Sequence, residues 1–452
     1  MKKDILEMLN DSHKNMIVGG DVGVGKTTSV LFPVVENAIN SNESLFILDS
    51  REEYLNKYYE ILKNNNYNII ILNLRDLDKS EGWNPLEYPY NLYKNGNSDR
   101  AQEYVEKIGK TIFYENTTSD PFWYLTSADL FTGITLGLFE DGKADEINFN
   151  SIGNMLNGFN NRYATSDYTT EYFKLKDTSS SPYVFASTTV LAPNETKGSI
   201  LSLTNQKIRL YLTREKLSQF MNKTTFDFSD LIHKTTAIFM IGRDENKATN
   251  TLCSIFIEQL YSILVDFKNT NKFNLVLDNF DIIEKCNDLV EILGSCTSRN
   301  IKTYIAIRSI KELENIYGSY MLKLCDICLI ENEEIQISTN NSVKRIKKDI
   351  EHVGIPNTII EYPKLIENEI KVFNIEGFVT KQKREKLFAS IDENTLNYNQ
   401  NFVNNLDPKN DDINAIIKRI DDKIAELEQE ENRNNLNNDS IISELQQFKI
   451  DE

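Results

Sequence analysis

Residues 20–27 read Gly-Asp-Val-Gly-Val-Gly-Lys-Thr, so Gly20, Gly25, Lys26 and Thr27 carry the spacing GxxxxGKT. That spacing suits the grip of a polyphosphate. Glycines at 20, 23 and 25 let the loop turn back on itself, so that the N–H groups of Asp21, Val22 and Val24 point inward with their own. Lys26 is placed to reach the β- and γ-phosphates, and the Thr27 hydroxyl to hold Mg²⁺. The helix that begins near Lys26 and runs on through Thr28 adds positive potential at its N-terminus. A glycine-rich turn without chemistry is the competing reading. The flanks argue against it, because apolar Met16 to Val18 leads in as a strand and Thr28 to Ile39 leads out at helical spacing. The loop therefore predicts a nucleoside triphosphate, with ATP and Mg²⁺ as its cofactors.

A second pattern lies far downstream. Phe273-Asn-Leu-Val-Leu-Asp278 is an apolar strand ending in a carboxylate, which is how such enzymes complete the magnesium shell. Many buried strands end in Asp, so the phosphate loop is what gives Asp278 its meaning. The next residue is Asn279, which can orient a water but cannot take its proton.

These residues need a scaffold. Ser44 to Asp49, Asn68 to Asn73, Thr236 to Ile241, Phe273 to Asp278 and Thr303 to Ile307 are short apolar runs separated by helical segments. Such runs predict an α/β fold with a parallel sheet covered on both faces. Helices are expected at Ala101 to Phe113, Leu125 to Phe139 and Ala248 to Phe267. In the loop Ser80 to Leu86, Trp83 and Pro85 are expected to pack as an anchor. From 145 to 225 the apolar residues Ile152, Met155, Leu156 and Phe159 recur at helical spacing among Asn, Ser, Thr and Pro, which predicts an inserted all-α subdomain. A further strand pair is expected around Ile359 and Ile370 to Phe373. Isoleucines 413, 416, 417, 420 and 424 with Leu427 form a helical stripe, fit for a partner or a coiled coil. The last 42 residues hold twelve acidic and five basic side chains, a solvated appendage or a docking element. The expected division is 1–144 and 226–400 for the nucleotide-binding domain, 145–225 for the helical insert and 401–452 for an acidic helical tail.

Composition narrows the setting. The formal charge of −18 disfavours broad adhesion to nucleic acid, though it leaves room for a local basic channel. No window approaches the apolar length of a membrane span, and the charged N-terminus does not read as a signal peptide. Five scattered cysteines suit a reducing cytoplasm. Cys325 and Cys328 read as buried strand residues rather than a redox pair.

Several stretches together resemble one family, the coupling-protein ATPases of conjugative type IV secretion (TraG/VirD type). They are Gly20 to Thr27, Leu48-Asp-Ser-Arg-Glu-Glu53, Trp83-Asn-Pro-Leu86, Asp120-Pro-Phe-Trp123, and Leu275 to Asn279 through Arg299 to Gly318. The resemblance implies a RecA-like P-loop NTPase sheet and a homo-oligomeric, hexameric ring. It also implies partners: single-stranded DNA or its relaxase complex, and the components of a secretion channel. By position Arg299 resembles the arginine finger offered to a neighbouring subunit, although a solvated helix-end charge is its plainer reading. This chain departs from the family pattern at three points. Only some fifteen residues precede the loop where the family has membrane helices. Asn279 stands where the family has a glutamate, and Arg308 where it has a glutamine. Asp278, Asn279, Arg299 and Arg308 are thus the catalytic candidates, with Glu53 and Asp281 as nearby acidic candidates for a relocated base. Two functions remain open: a motor that hydrolyses ATP, and a nucleotide-gated adaptor that does not. A double-stranded DNA pump shares the fold but leaves the Trp-Asn-Pro-Leu and Asp-Pro-Phe-Trp stretches without a role.

Overall fold

The computed structural model describes residues 14–114, 120–243, 246–268, 271–331, 334–339, 343–347 and 358–390. The isoleucine stripe and the acidic tail lie outside the described residues. Eleven strands are present among them: β1 (Asn15–Gly19), β2 (Ser44–Leu48), β3 (Asn68–Asn73), β4 (Arg162–Tyr163), β5 (Ser166–Asp167), β6 (Thr236–Ile241), β7 (Phe273–Leu277), β8 (Ile301–Ile307), β9 (Cys325–Ile330), β10 (Glu334–Ser338) and β11 (Val343–Lys347).

Nine of them form one sheet in the order β11-β10-β9-β1-β8-β7-β2-β6-β3. The seven strands from β9 to β3 run parallel, and β10 and β11 add an antiparallel edge. Both faces are buried, as near-continuous apolar strands require. Side chains alternate along each strand: Met16, Val18, Leu45 and Ile47 pack on one face with Phe32, Tyr54 and Tyr58. Ile17, Phe46 and Leu48 pack on the other face with Trp83, Phe256 and the larger helical part. Because the sheet is parallel, the loops after β1, β2, β7 and β8 emerge at the same end. That shared end is what brings the distant motifs together.

Between β3 and β6 the larger elements are helical: Glu87–Lys94, Ser98–Phe113, Phe122–Asp141, Phe149–Asn157, Tyr168–Lys174, Ser181–Val190, Asn194–Leu212 and Glu215–Phe220. A two-stranded β4–β5 hairpin interrupts them. Trp83 fastens this part to the sheet. It is fully buried, stacks edge-on against Phe256 at 4.9 Å and donates its indole N–H to Gln259 at 2.9 Å. Asn84 donates to the carbonyls of Ile147 and Asn222. Cys325 and Cys328 are both buried on β9.

Two expectations change. The helix after the phosphate loop begins as a π-helical turn, Thr27–Leu31, and becomes α-helical only from Phe32 to Asn40. Pro33 explains the break, since its ring crowds the carbonyl four residues back and it has no N–H to give. The expected strand pair at Ile359 and Ile370 to Phe373 is absent, and this stretch is irregular. Its backbone groups are taken by side chains instead: Asn148 donates to Lys371 O, Asn154 to Phe373 O, and Phe373 N donates to Ser151 Oγ. The chain then enters the helix Ile375–Ser390.

Candidate nucleotide site

The phosphate loop leaves the C-terminal end of β1. Gly25 has φ +84°, a conformation that strains any residue with a Cβ. At Gly20 a Cβ would lie 2.6 Å from the carbonyl oxygen of Ile330, so the end of β9 closes against the loop only because glycine is there. Asp21, Val22 and Gly23 form the exposed crest, while Val24 packs inward. The Thr28 hydroxyl points back to Gly25 O at 3.4 Å.

Lys26 is largely buried, with 8% of its surface exposed. Its ammonium donates to the carbonyls of Gly20 at 2.5 Å and Asp21 at 3.0 Å. Burial lowers its pKa, against the opposing pull of Asp278 and Asp281. The lysine is held folded back over the loop by these two carbonyls.

Asp278 follows β7 at the same end of the sheet. Its Oδ2 accepts from Thr27 Oγ1 at 2.7 Å and from the Tyr54 hydroxyl at 2.9 Å, and its Oδ1 accepts from Asn279 N at 2.9 Å. Burial raises the Asp278 pKa, and these three donors oppose the rise. A hydroxyl and a carboxylate 251 residues apart in sequence thus converge beside the loop lysine. Hard oxygen donors of this kind fit Mg²⁺, which takes few protein ligands and completes its shell with phosphate and water.

The neighbouring positions are tied differently. Asn279 has φ +52°, in the left-handed region that Asn tolerates better than most residues. Its side-chain amide donates to Ser50 Oγ at 2.8 Å. Arg308, at the end of β8, pairs through Nε with Asp281 at 3.0 Å and stays half exposed. Arg299 precedes β8 at the opposite end of the sheet, where it donates to the Tyr261 hydroxyl. Seven strand residues separate the two arginines, roughly 20 Å at ~3.3 Å per residue. The structure therefore groups Asp278, Asn279 and Arg308 near Lys26 and Thr27, and does not bring Arg299 to its own loop.

The tip of β2 completes the rim. Asp49 caps the helix Glu53–Asn64, with its carboxyl accepting from the backbone N–H groups of Arg51, Glu53, Tyr54 and Leu55. Burial pushes its pKa up to about 7 despite these donors. Glu53, on the first turn, is partly buried; burial raises its pKa, helped by the nearby charge of Asp278 and opposed by Arg51. Tyr54 and Ser50 escaped the sequence reading. The stretch Leu48 to Glu53 contains Ser50 and ends beside Tyr54, but nothing in one sequence shows which side chain crosses to β7.

The family model for type IV secretory system conjugative DNA transfer matches residues 3–348. The chain belongs to that family. No curated protein is matched by the chain. Among solved structures, the plasmid coupling protein TrwB in complex with ADP and Mg²⁺ superposes with a TM-score of 0.58 at 13% identity, covering 78% of this chain and 89% of that one. TrwB in complex with the ATP analogue ADPNP gives 0.58 at 12% identity, covering 79% and 89%. A trigonal form of TrwB with sulphate gives 0.54 at 14% identity, covering 75% and 79%. At identities this low the superpositions speak to fold alone: this conjugative-transfer family member shares the RecA-like coupling-protein fold. No helix among its described residues is long and apolar enough to cross a membrane.

Proposed function

We propose that this conjugative-transfer family member binds Mg·ATP in the loop Gly20–Thr27 and couples the nucleotide to recruitment and transfer of single-stranded DNA or a protein substrate. The observation that carries the reading is the 2.7 Å bond between Thr27 and Asp278 beside the buried Lys26. The loop amides and Lys26 bind the phosphates, and Thr27 and Asp278 hold Mg²⁺. Bound there, the ion neutralises charge on the β- and γ-phosphate oxygens. Tyr54 donates to the same Asp278 oxygen as Thr27, which fixes that oxygen toward the loop.

Arg299, remote from its own loop, suits service to a neighbouring subunit in a ring such as a hexamer. The work is cytoplasmic in this reading, with any membrane attachment supplied through channel components. A nucleotide-gated adaptor with little turnover is the second reading. It is favoured by Asn279, whose amide is committed to Ser50.

Titration with a fluorescent ATP analogue tests the phosphate site. Lys26→Ala is expected to weaken binding by roughly 100-fold, the loss of charge-assisted bonds worth about 3 kcal/mol, with an unchanged far-UV circular dichroism spectrum. Equal affinity in the variant would contradict the reading.

A further inference from the structure

Five acidic side chains occupy the tips of β2 and β7, and four of them are engaged. Asp49 spends both oxygens on backbone N–H groups. Glu52 accepts from the Tyr362 hydroxyl at 3.1 Å and, weakly, from Asn73. Asp278 accepts from Thr27, Tyr54 and Asn279 N, and Asp281 is paired with Arg308. Glu53 is the exception. Its carboxyl is partly buried and has no hydrogen-bond or ion-pair partner among the described residues, although its backbone N–H is fixed to Asp49.

Its location follows from the sheet. β2 lies directly beside β7, with Leu48 opposite Leu277, so that Asp49 and Asp278 emerge side by side. Tyr54, the residue after Glu53, reaches across that gap and touches Asp278. Glu53 lies within the opposed charges of Arg51 and Asp278. A carboxyl with no hydrogen-bond or ion-pair partner among the described residues is thereby stationed close to the group that holds Mg²⁺ in the proposed site, on a helix end whose first three N–H groups are pinned by Asp49.

We propose that Glu53 is the general base of ATP hydrolysis in this chain, doing from the tip of β2 what Asn279 cannot do from the end of β7. The proposal rests on the reading of the loop as an ATP site. A water oxygen bonds to the γ-phosphorus while the bond from that phosphorus to the β,γ-bridging oxygen breaks, and ADP leaves with that bond's electron pair. Glu53 accepts one proton of the attacking water and then releases it to solvent, so that ATP and water yield ADP, phosphate and a proton. Asn279 and Ser50, bonded to each other at 2.8 Å, line the gap without supplying a base.

The test uses the full chain with Mg·ATP, reading phosphate release and fluorescent-nucleotide affinity on the same preparations. Glu53→Gln is expected to lower turnover by about 100-fold or more, the usual worth of general-base help, with affinity within about threefold of wild type. Glu53→Asp, which draws the carboxylate back by one methylene, is expected to bind equally well and turn over at an intermediate rate. Wild-type turnover in Glu53→Gln would overturn the proposal, as would loss of nucleotide binding in that variant. A wild type that binds ATP without hydrolysing it would also overturn it and leave the adaptor reading standing. A wild type that does not bind ATP would instead defeat the reading of the site itself.

Discussion

The two halves of the site are built in contrasting ways. On the phosphate side, residues from β1, β2 and β7 bond directly to one another: Thr27 and Tyr54 both donate to Asp278, and Lys26 is held over the loop by its own carbonyls. On the water side, the side chains are paired off locally, Asn279 with Ser50 and Arg308 with Asp281. The first arrangement suits the metal and phosphate of the proposed ATP site. The second ties positions 279 and 308 to their neighbours and leaves Glu53 as the acid with no hydrogen-bond or ion-pair partner among the described residues. On the proposed reading, one half of the site keeps its grip while the other passes its chemistry to Glu53, because the sheet end supplies several strand tips to the same gap.

If position 279 is now committed to structure, a glutamate there should be costly. Asn279→Glu is expected to lose about 2 kcal/mol of stability in urea unfolding, from the left-handed backbone that Asn tolerates and the bond to Ser50. Asn279→Gly, which loses the bond but not the backbone freedom, should lose less. Equal midpoints for wild type and Asn279→Glu would show that the water side is not tied down as described, and would break the contrast.

A smaller effect sharpens the other side. Tyr54→Phe removes one of three donors to Asp278 and leaves the packing of the ring against Phe32 in place. It is expected to weaken Mg·ATP binding by about 1 kcal/mol, roughly fivefold, in an equilibrium titration. No change would mean that Thr27 and Asn279 N alone fix the carboxylate.

Much of this was legible in the sequence, for physical reasons that differ from element to element. The buried strands of a parallel sheet announce themselves as short apolar runs, so β1, β2, β3, β6, β7 and β8 were all anticipated. Gly20 to Thr27 carries its own chemistry in its spacing, and Asp278 gained meaning from it. Trp83 was legible as an anchor because a large aromatic between Gly82 and Pro85 has few other uses. What stayed hidden depends on contacts across the chain. Tyr54 looks like an ordinary core residue of an amphipathic helix, and its hydroxyl matters only because β2 lies beside β7. Ile370-Lys-Val-Phe373 looked like a strand, yet it pairs with no strand among the described residues, and Asn148, Ser151 and Asn154 satisfy its backbone instead. Pro33 was visible all along, but the π-helical turn that accommodates it was not.

The central claim is that Thr27 and Asp278 together form the metal-holding pair of an ATP site, and varying Mg²⁺ in an equilibrium titration of a fluorescent ATP analogue tests it most directly. Wild type is expected to bind the nucleotide about tenfold more tightly or better when Mg²⁺ is added, since ion and phosphate share the site. Asp278→Asn, which keeps the size of the side chain but not its charge, should lose most of that gain while retaining the Mg²⁺-independent binding due to Lys26 and the loop. A variant that keeps the full magnesium dependence of the wild type would contradict the account.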